Sequence, residues 1–184
     1  MKIIILYLFI VLFSSTLLAQ PKYYTKSGSI GFEASVPSFE EVKAKNNTVT
    51  SILNINTGEI AALALIKGFR FKVALMEEHF NENYAESAKF PKATFTGKIA
   101  DFSIDKLTNE PKVFSLNGKL TFHGKTIHVS PEVLISIDEN KMYLASNFIL
   151  NPKEFDINIP KIVRKKVAET VEVTINFVLI PKSE

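Results

Sequence analysis

Three histidines, His79, His123 and His128, are the side chains here best suited to move a proton or hold a metal near neutral pH. A two-residue turn at Gly124-Lys125 would set His123 opposite Thr126 and Thr121 opposite His128. The two imidazoles would then lie diagonally on one sheet face, within reach of each other. That is the beginning of a weak metal site, but no third ligand stands nearby in the sequence. The competing reading is a polar outward face, and no metal or other cofactor is expected. His79 has acids for neighbours, Glu77, Glu78, Glu82 and Glu86. A histidine among carboxylates is the raw material of general acid–base catalysis. These acids fall largely away from the apolar side of their segment, where water leaves them weak bases. His79 sits beside Phe80, so a hydrogen-bonded histidine under a helix is favoured over a catalytic base.

Lys161, Arg164, Lys165 and Lys166 form the one basic cluster. It suits anionic lipid headgroups or, more plainly, an exposed turn. With no cysteine in the chain, thiolate nucleophiles, cysteine-ligated zinc and iron–sulfur clusters are excluded. The motifs of phosphate loops, dinucleotide folds, zinc proteases and nucleophile elbows are absent as well. No catalytic residue is nominated.

The 184 residues carry 22 Lys plus Arg against 19 Asp plus Glu, a net charge of +3. That excess is too small and scattered for a nucleic-acid binder. Apolar residues at 46% and charged residues at 22% belong to an ordinary globular chain. The N-terminus differs. Met1-Lys2 leads into an unbroken apolar run, Ile3 to Phe13, then Ser14-Ser15-Thr16 and Leu17-Leu18-Ala19-Gln20. This is the pattern of a secretory signal peptide. A spanning helix needs about 20 apolar residues, and the polar triplet comes too early. Residues 1–19 are read as a signal cleaved after Ala19, and residues 20–184 as one exported domain. No cysteine follows the cleavage site, so no bacterial lipid anchor is expected. Without disulfides such a domain depends on its apolar core, to which 15 Phe contribute, two of them in the signal.

The elements that must position these side chains are mostly strands. Ile30, Phe32 and Ala34 alternate within Ser29–Ala34. Thr48–Ile55 is a second strand, and Asn56-Thr57-Gly58 a turn. Glu59–Ile66 is a third, nearly all apolar, and Phe69-Arg70-Phe71 extends it past a Gly68 kink. From Val73 to Ser87 the apolar steps change to three and four, through Val73, Leu75, Met76, Phe80 and Tyr84, which predicts a helix. Pro91 blocks its continuation. Alternation then resumes through Ala93, Phe95, Gly97 and Ile99, and through Phe114, Leu116, Gly118, Leu120 and Phe122. It continues in Ile127 and Val129, in Val133, Ile135 and Ile137, in Met142–Leu150 and in Val171–Ile180. Pro131 marks a bulge or edge.

About eight strands with short antiparallel turns predict a mainly β chain, an eight-stranded antiparallel barrel with one inserted amphipathic helix. An eight-stranded barrel has an interior that side chains just fill or that holds one small ligand. The helix is the nearest cover for the outer face of the third strand. Opposite the apolar face stand Thr94, Thr96, Lys98, Lys119, Thr121, Glu172, Thr174 and Asn176. That polarity argues against an outer-membrane barrel, which is apolar outside.

Met76-Glu77-Glu78-His79-Phe80-Asn81-Glu82-Asn83-Tyr84, followed by Lys89-Phe90-Pro91-Lys92-Ala93-Thr94-Phe95, resembles the helix-to-strand signature of the YceI-like proteins. Gly118-Lys119-Leu120-Thr121-Phe122-His123-Gly124-Lys125-Thr126 is similar to that family's central hairpin. Ile159-Pro160-Lys161-Ile162-Val163, leading into Val171-Glu172-Val173-Thr174, resembles its closing segment. The resemblance spans nearly all of residues 24–180. It implies a lipocalin-like barrel in the bacterial periplasm, non-catalytic, with a polyisoprenoid chain in its lumen. The partner would be an isoprenoid lipid, a prenyl chain or quinone, with transient contact to a membrane surface and no nucleic acid. On this reading the basic cluster would meet a prenyl phosphate at the barrel mouth. The expected lumen lining is Phe95, Leu116, Leu120, Phe122, Ile127, Ile135, Phe148, Val173, Ile175 and Phe177. Two alternatives stand beside it. The many Phe side chains fill the lumen and leave a structural or stress-related interaction module, or His79 serves a hydrolase or isomerase.

Overall fold

In the computed structural model, residues 21–37, 39–161 and 167–182 are described. The signal segment, and Arg164, Lys165 and Lys166 of the basic cluster, lie outside the described residues. The strands are β1 (Lys22–Ser35), β2 (Lys43–Asn54), β3 (Glu59–Leu65), β4 (Arg70–Phe71) and β5 (Lys92–Ile99). They continue with β6 (Lys112–Phe122), β7 (Lys125–Val129), β8 (Glu132–Asp138), β9 (Lys141–Leu150) and β10 (Val167–Pro181). Eight of them form an antiparallel ring in the order β1-β10-β9-β8-β6-β5-β3-β2, and β2 returns to β1. The first and last strands therefore close a barrel, as the strand count predicts. Among the described residues no helix is long and apolar enough to cross a membrane.

Two short strands stand off the ring. Phe69-Arg70-Phe71 does not extend β3. Ile66–Gly68 forms a 3-10 turn, and β4 pairs with β2 through Ala44↔Phe71 and Lys45↔Arg70. The buried Asn46 enforces this break, because its Nδ2 donates to the Leu65 carbonyl at 2.9 Å and claims the group that would continue the ladder. β7 pairs only with β6, whose other half pairs with β8. The hand-over falls at Pro131, whose carbonyl accepts from Leu116 N–H at 2.9 Å.

The helix α1 (Ala74–His79) continues as a wider π-helical turn, Phe80–Tyr84. It is shorter than the apolar period over Val73–Ser87 suggests, and Glu86 ends it at φ 43°. It lies not on the outer face of β3 but across one end of the barrel. Phe80 is inserted among Phe32, Phe69 and Phe71, at centroid distances of 5.2, 6.0 and 5.3 Å. Leu75 is left exposed, as is Leu65 on the uncovered face of β3. The outer wall also carries an apolar stripe that alternation alone hides, with Val113 paired to Leu134 and Tyr143 paired to Val178.

Beside that end, the β1–β2 seam carries an ion pair, Lys43 Nζ to Glu33 Oε2 at 3.0 Å. The hydrogen bond from Lys43, and after it the Ser35 side chain, hold the Glu33 carboxyl below the ordinary carboxylate range. Its small contribution is present above the ordinary carboxylate range and lost as pH falls through the lowered value. Both side chains are well exposed, so water and salt screen the pair.

The two halves of the interior differ. At one end Val49, Leu53, Ile99, Val133, Ile135, Met142 and Leu179 are almost wholly out of contact with water, and this half is solid. Along β10 burial falls off towards the other end, from Leu179 and Phe177 to the half-buried Ile175, Val173 and Val171. All five point inwards, so the accessible surface of the last three faces a hollow. Truncation should therefore cost unequally. Leu179→Ala should lose about 2–5 kcal/mol and Ile175→Ala clearly less, because a side chain bordering empty space has fewer packing partners to lose. Urea unfolding measures both, and equal losses would mean a uniformly packed interior.

Candidate functional site

The hollow is a cavity of about 490 Å³, within the range of ligand sites in proteins. Its wall is built by alternation. Ile30, Phe32 and Ala34 come from β1, Ala62 and Ala64 from β3, and Ala93 and Phe95 from β5. Leu120 and Phe122 come from β6, Phe148 and Leu150 from β9, and Val171, Val173 and Ile175 from β10. Polar groups are few. Ser146 lies in the wall with its hydroxyl committed to the Glu132 carbonyl at 2.6 Å, while Glu40, His79 and Tyr84 complete the lining. Such a space removes hydrocarbon from water and offers little to a polar molecule.

Of the ten expected lining residues, Phe95, Leu116, Leu120, Phe122, Phe148, Val173, Ile175 and Phe177 face the cavity. Ile127 and Ile135 do not. Ile127 sits on β7, off the ring and against the segment Pro152–Phe155. Ile135 pairs with Leu144 and lies in the solid half, 0% exposed. The strand change at Pro131 is what shifts both. The expectation of a Phe-filled lumen fails: one half of the barrel is hollow, and the solid half is filled mainly by aliphatic side chains.

The sequence reading missed the contribution of the helix. Met76, His79, Phe80 and Tyr84 line the cavity, and their spacing of three and four was the available signal. It marked a face without saying what that face would meet. His79 is exposed at this lining rather than held beneath the helix.

His123 has a different place from the one its neighbours suggested. The turn falls one residue earlier, at His123-Gly124, with Thr121 opposite Thr126 and Lys119 opposite His128. Both turn residues have positive φ, 49° and 74°, as a tight hairpin of this twist requires. His128 is exposed on the outer wall, and the diagonal imidazole pair does not form. Among the described residues no three potential ligands converge on a metal site. His123 instead joins three segments at the cavity end of the barrel. The Phe155 carbonyl can only accept, so Nδ1 donates to it, at 2.8 Å. Nε2 lies 2.6 Å from Glu86 Oε2, and one proton sits between them. The Phe90 ring packs edge-on to the imidazole at 4.7 Å.

The third segment forms for local reasons. Asn151 caps it by accepting from Lys153 N–H at 3.1 Å, Pro152 begins it, and Asp156 at φ 57° ends it. Lys125 meets Asp156 at 2.6 Å, and Phe122 packs on Phe155 at 5.6 Å.

A YceI-like domain model matches residues 23–179. The chain belongs to the YceI-like family. Three solved structures share the fold. A polyisoprenoid binding domain from Saccharophagus degradans is 11% identical, with a TM-score of 0.69 over 90% of this chain and 99% of that one. BcnA of Burkholderia cenocepacia is 14% identical, with a TM-score of 0.68 over 82% and 95%. The Campylobacter jejuni YceI protein is 14% identical, with a TM-score of 0.60 over 81% and 90%. At these identities the likeness carries the fold alone. No curated protein matches the chain.

The rim contacts make a prediction. His123→Ala leaves the Glu86 carboxyl and the Phe155 carbonyl without their hydrogen-bond partner. It should lower stability by about 1–3 kcal/mol and speed amide exchange in 86–90 and 153–157 above the rest of the barrel. Unchanged exchange in those two segments would show that the histidine does not join them.

Proposed function

We propose that this YceI-like chain is a non-catalytic periplasmic carrier that holds the hydrocarbon tail of a polyisoprenoid-type lipid, a prenyl chain or an isoprenoid quinone. The observation that carries the reading is the apolar cavity of about 490 Å³ in the barrel's hollow half. Each methylene lodged there gains about 0.8 kcal/mol, and the first several offset the lost freedom of association. The Saccharophagus neighbour is described as binding polyisoprenoids, which supports a prenyl tail over another hydrocarbon. Export rests on the N-terminal pattern Met1–Gln20, and the periplasm is the compartment the family resemblance implies. Lys161 and the basic residues after it suit transient contact with an anionic membrane surface.

Protein prepared without detergent from its own host's periplasm should show, by native mass spectrometry, a prenyl-lipid adduct that organic extraction removes. The stripped barrel should take up added prenyl chains again, and the intact mass should begin at Gln20. Repeated recovery of an empty barrel that takes up no prenyl chain contradicts the carrier reading. A mature chain that keeps Met1 contradicts export by a cleaved signal.

A further inference from the structure

The cavity has a floor, in which one ring, Phe177, lies among aliphatic side chains. Ile60, Leu116, Leu144 and Phe177 line the cavity yet are almost completely buried. Leu53 and Ile99, the cross-strand partners of Ile60 and Leu116, and Met142 and Leu179, two residues along from Leu144 and Phe177, are buried and do not line it. The boundary between hollow and solid is therefore one layer of side chains. Glycines make room for the rings of Phe177 and Phe95. A Cβ on Gly28 would come within 2.6 Å of the Phe177 ring, and one on Gly97 or Gly118 within 2.7 or 2.4 Å of the Phe95 ring. Gly97 and Gly118 are directly paired, so Phe95 lays its ring over a two-strand dent that points towards the closed end. Phe177 does the same over Gly28.

We propose that Phe177, with Phe95 on the opposite wall of the ring, is a length gauge that stops a lipid tail at a fixed depth and sets how many isoprene units the barrel takes. This rests on the carrier reading above and adds its chain-length specificity. From Val171 to Phe177 the wall of β10 runs about 20 Å, at about 3.3 Å per residue. A strand tilt of about 40° reduces this to about 15 Å along the barrel axis. An extended carbon chain spans about 1.2 Å per bond, or about 5 Å per isoprene unit. The hollow thus takes about three units, tail first. A longer chain leaves its remaining units and its headgroup beyond the mouth, among Glu40, His79 and Tyr84.

The test is calorimetric titration of the full exported domain with geraniol, farnesol, geranylgeraniol and solanesol, alongside straight-chain alkanols of matching lengths. Wild type should gain about tenfold or more in affinity per unit up to farnesol and little beyond it. Phe177→Ala deepens the hollow by about one ring and should move the break one unit longer. Should that variant fail to fold, Ala62→Leu, which adds bulk beside Phe95, tests the same floor from above. It should leave geraniol unchanged and weaken farnesol about tenfold. A break that stays in place in every folded variant, or affinity that climbs with no break, overturns the gauge and leaves the carrier reading standing. A movable break with alkanols but no binding of prenyl alcohols overturns the isoprenoid reading and keeps the gauge. No binding of either series overturns both.

Discussion

The structure depends on the closure of one sheet by the pairing of its first and last strands, β1 with β10. Closure satisfies the backbone groups around the ring and removes the free edges at which an open sheet recruits other chains. It also fixes the distance across the interior. Eight strands set a width that large inward side chains can fill, and below Phe177 they do. Above it, Ala62, Ala64 and Ala93 replace larger residues on one side of the wall. The hydrogen-bond ladder prevents that wall from moving in to compensate. A hollow of this kind persists because collapse would break strand pairing, which costs more than the lost contacts of a few half-buried side chains.

The same logic explains the aromatic residues at either end of the hollow. At the mouth, Phe32 of β1, Phe69 and Phe71 of the segment around β4, and Phe80 of the helix pack at 5.2–6.0 Å. They give a helix with only six regular α residues, and no capping side chain at its start, a reason to stay where it is. His123 serves the opposite side of the rim with polar bonds, joining the segment after the helix to the segment before β10. Rings thus stand at the mouth and at the floor, while the wall between them mixes aliphatic side chains and alanines with the rings of Phe95, Phe122 and Phe148.

Much of the architecture was legible because alternation is a local property. Val171, Val173, Ile175, Phe177 and Leu179 share a face in any strand that contains them, and the turn residues divide one strand from the next. What alternation cannot give is depth along the barrel. Nothing local separates Ile175, which faces a void, from Leu179, which does not, because the difference comes from partners on β1 and β9 distant in the chain. Ile127 and Ile135 were misplaced for a related reason. Pro131 signalled an irregularity, but not that β6 would change partners there. The hairpin slipped by one residue because His123 takes a left-handed conformation that glycine alone would be expected to supply. Bonds to Glu86 and Phe155, 37 and 32 residues away, hold it there.

The central claim is that the hydrocarbon lies inside the ring rather than against the apolar stripe on its outer wall. Intermolecular nuclear Overhauser contacts from a bound, isotope-labelled farnesyl chain to assigned valine methyls decide it most directly. A chain within the hollow shows contacts to Val171 and Val173 and none to Val178, which alternates to the outside of the same strand. Contacts confined to Val178 and its exposed neighbours Leu134 and Ile180 would contradict an interior site.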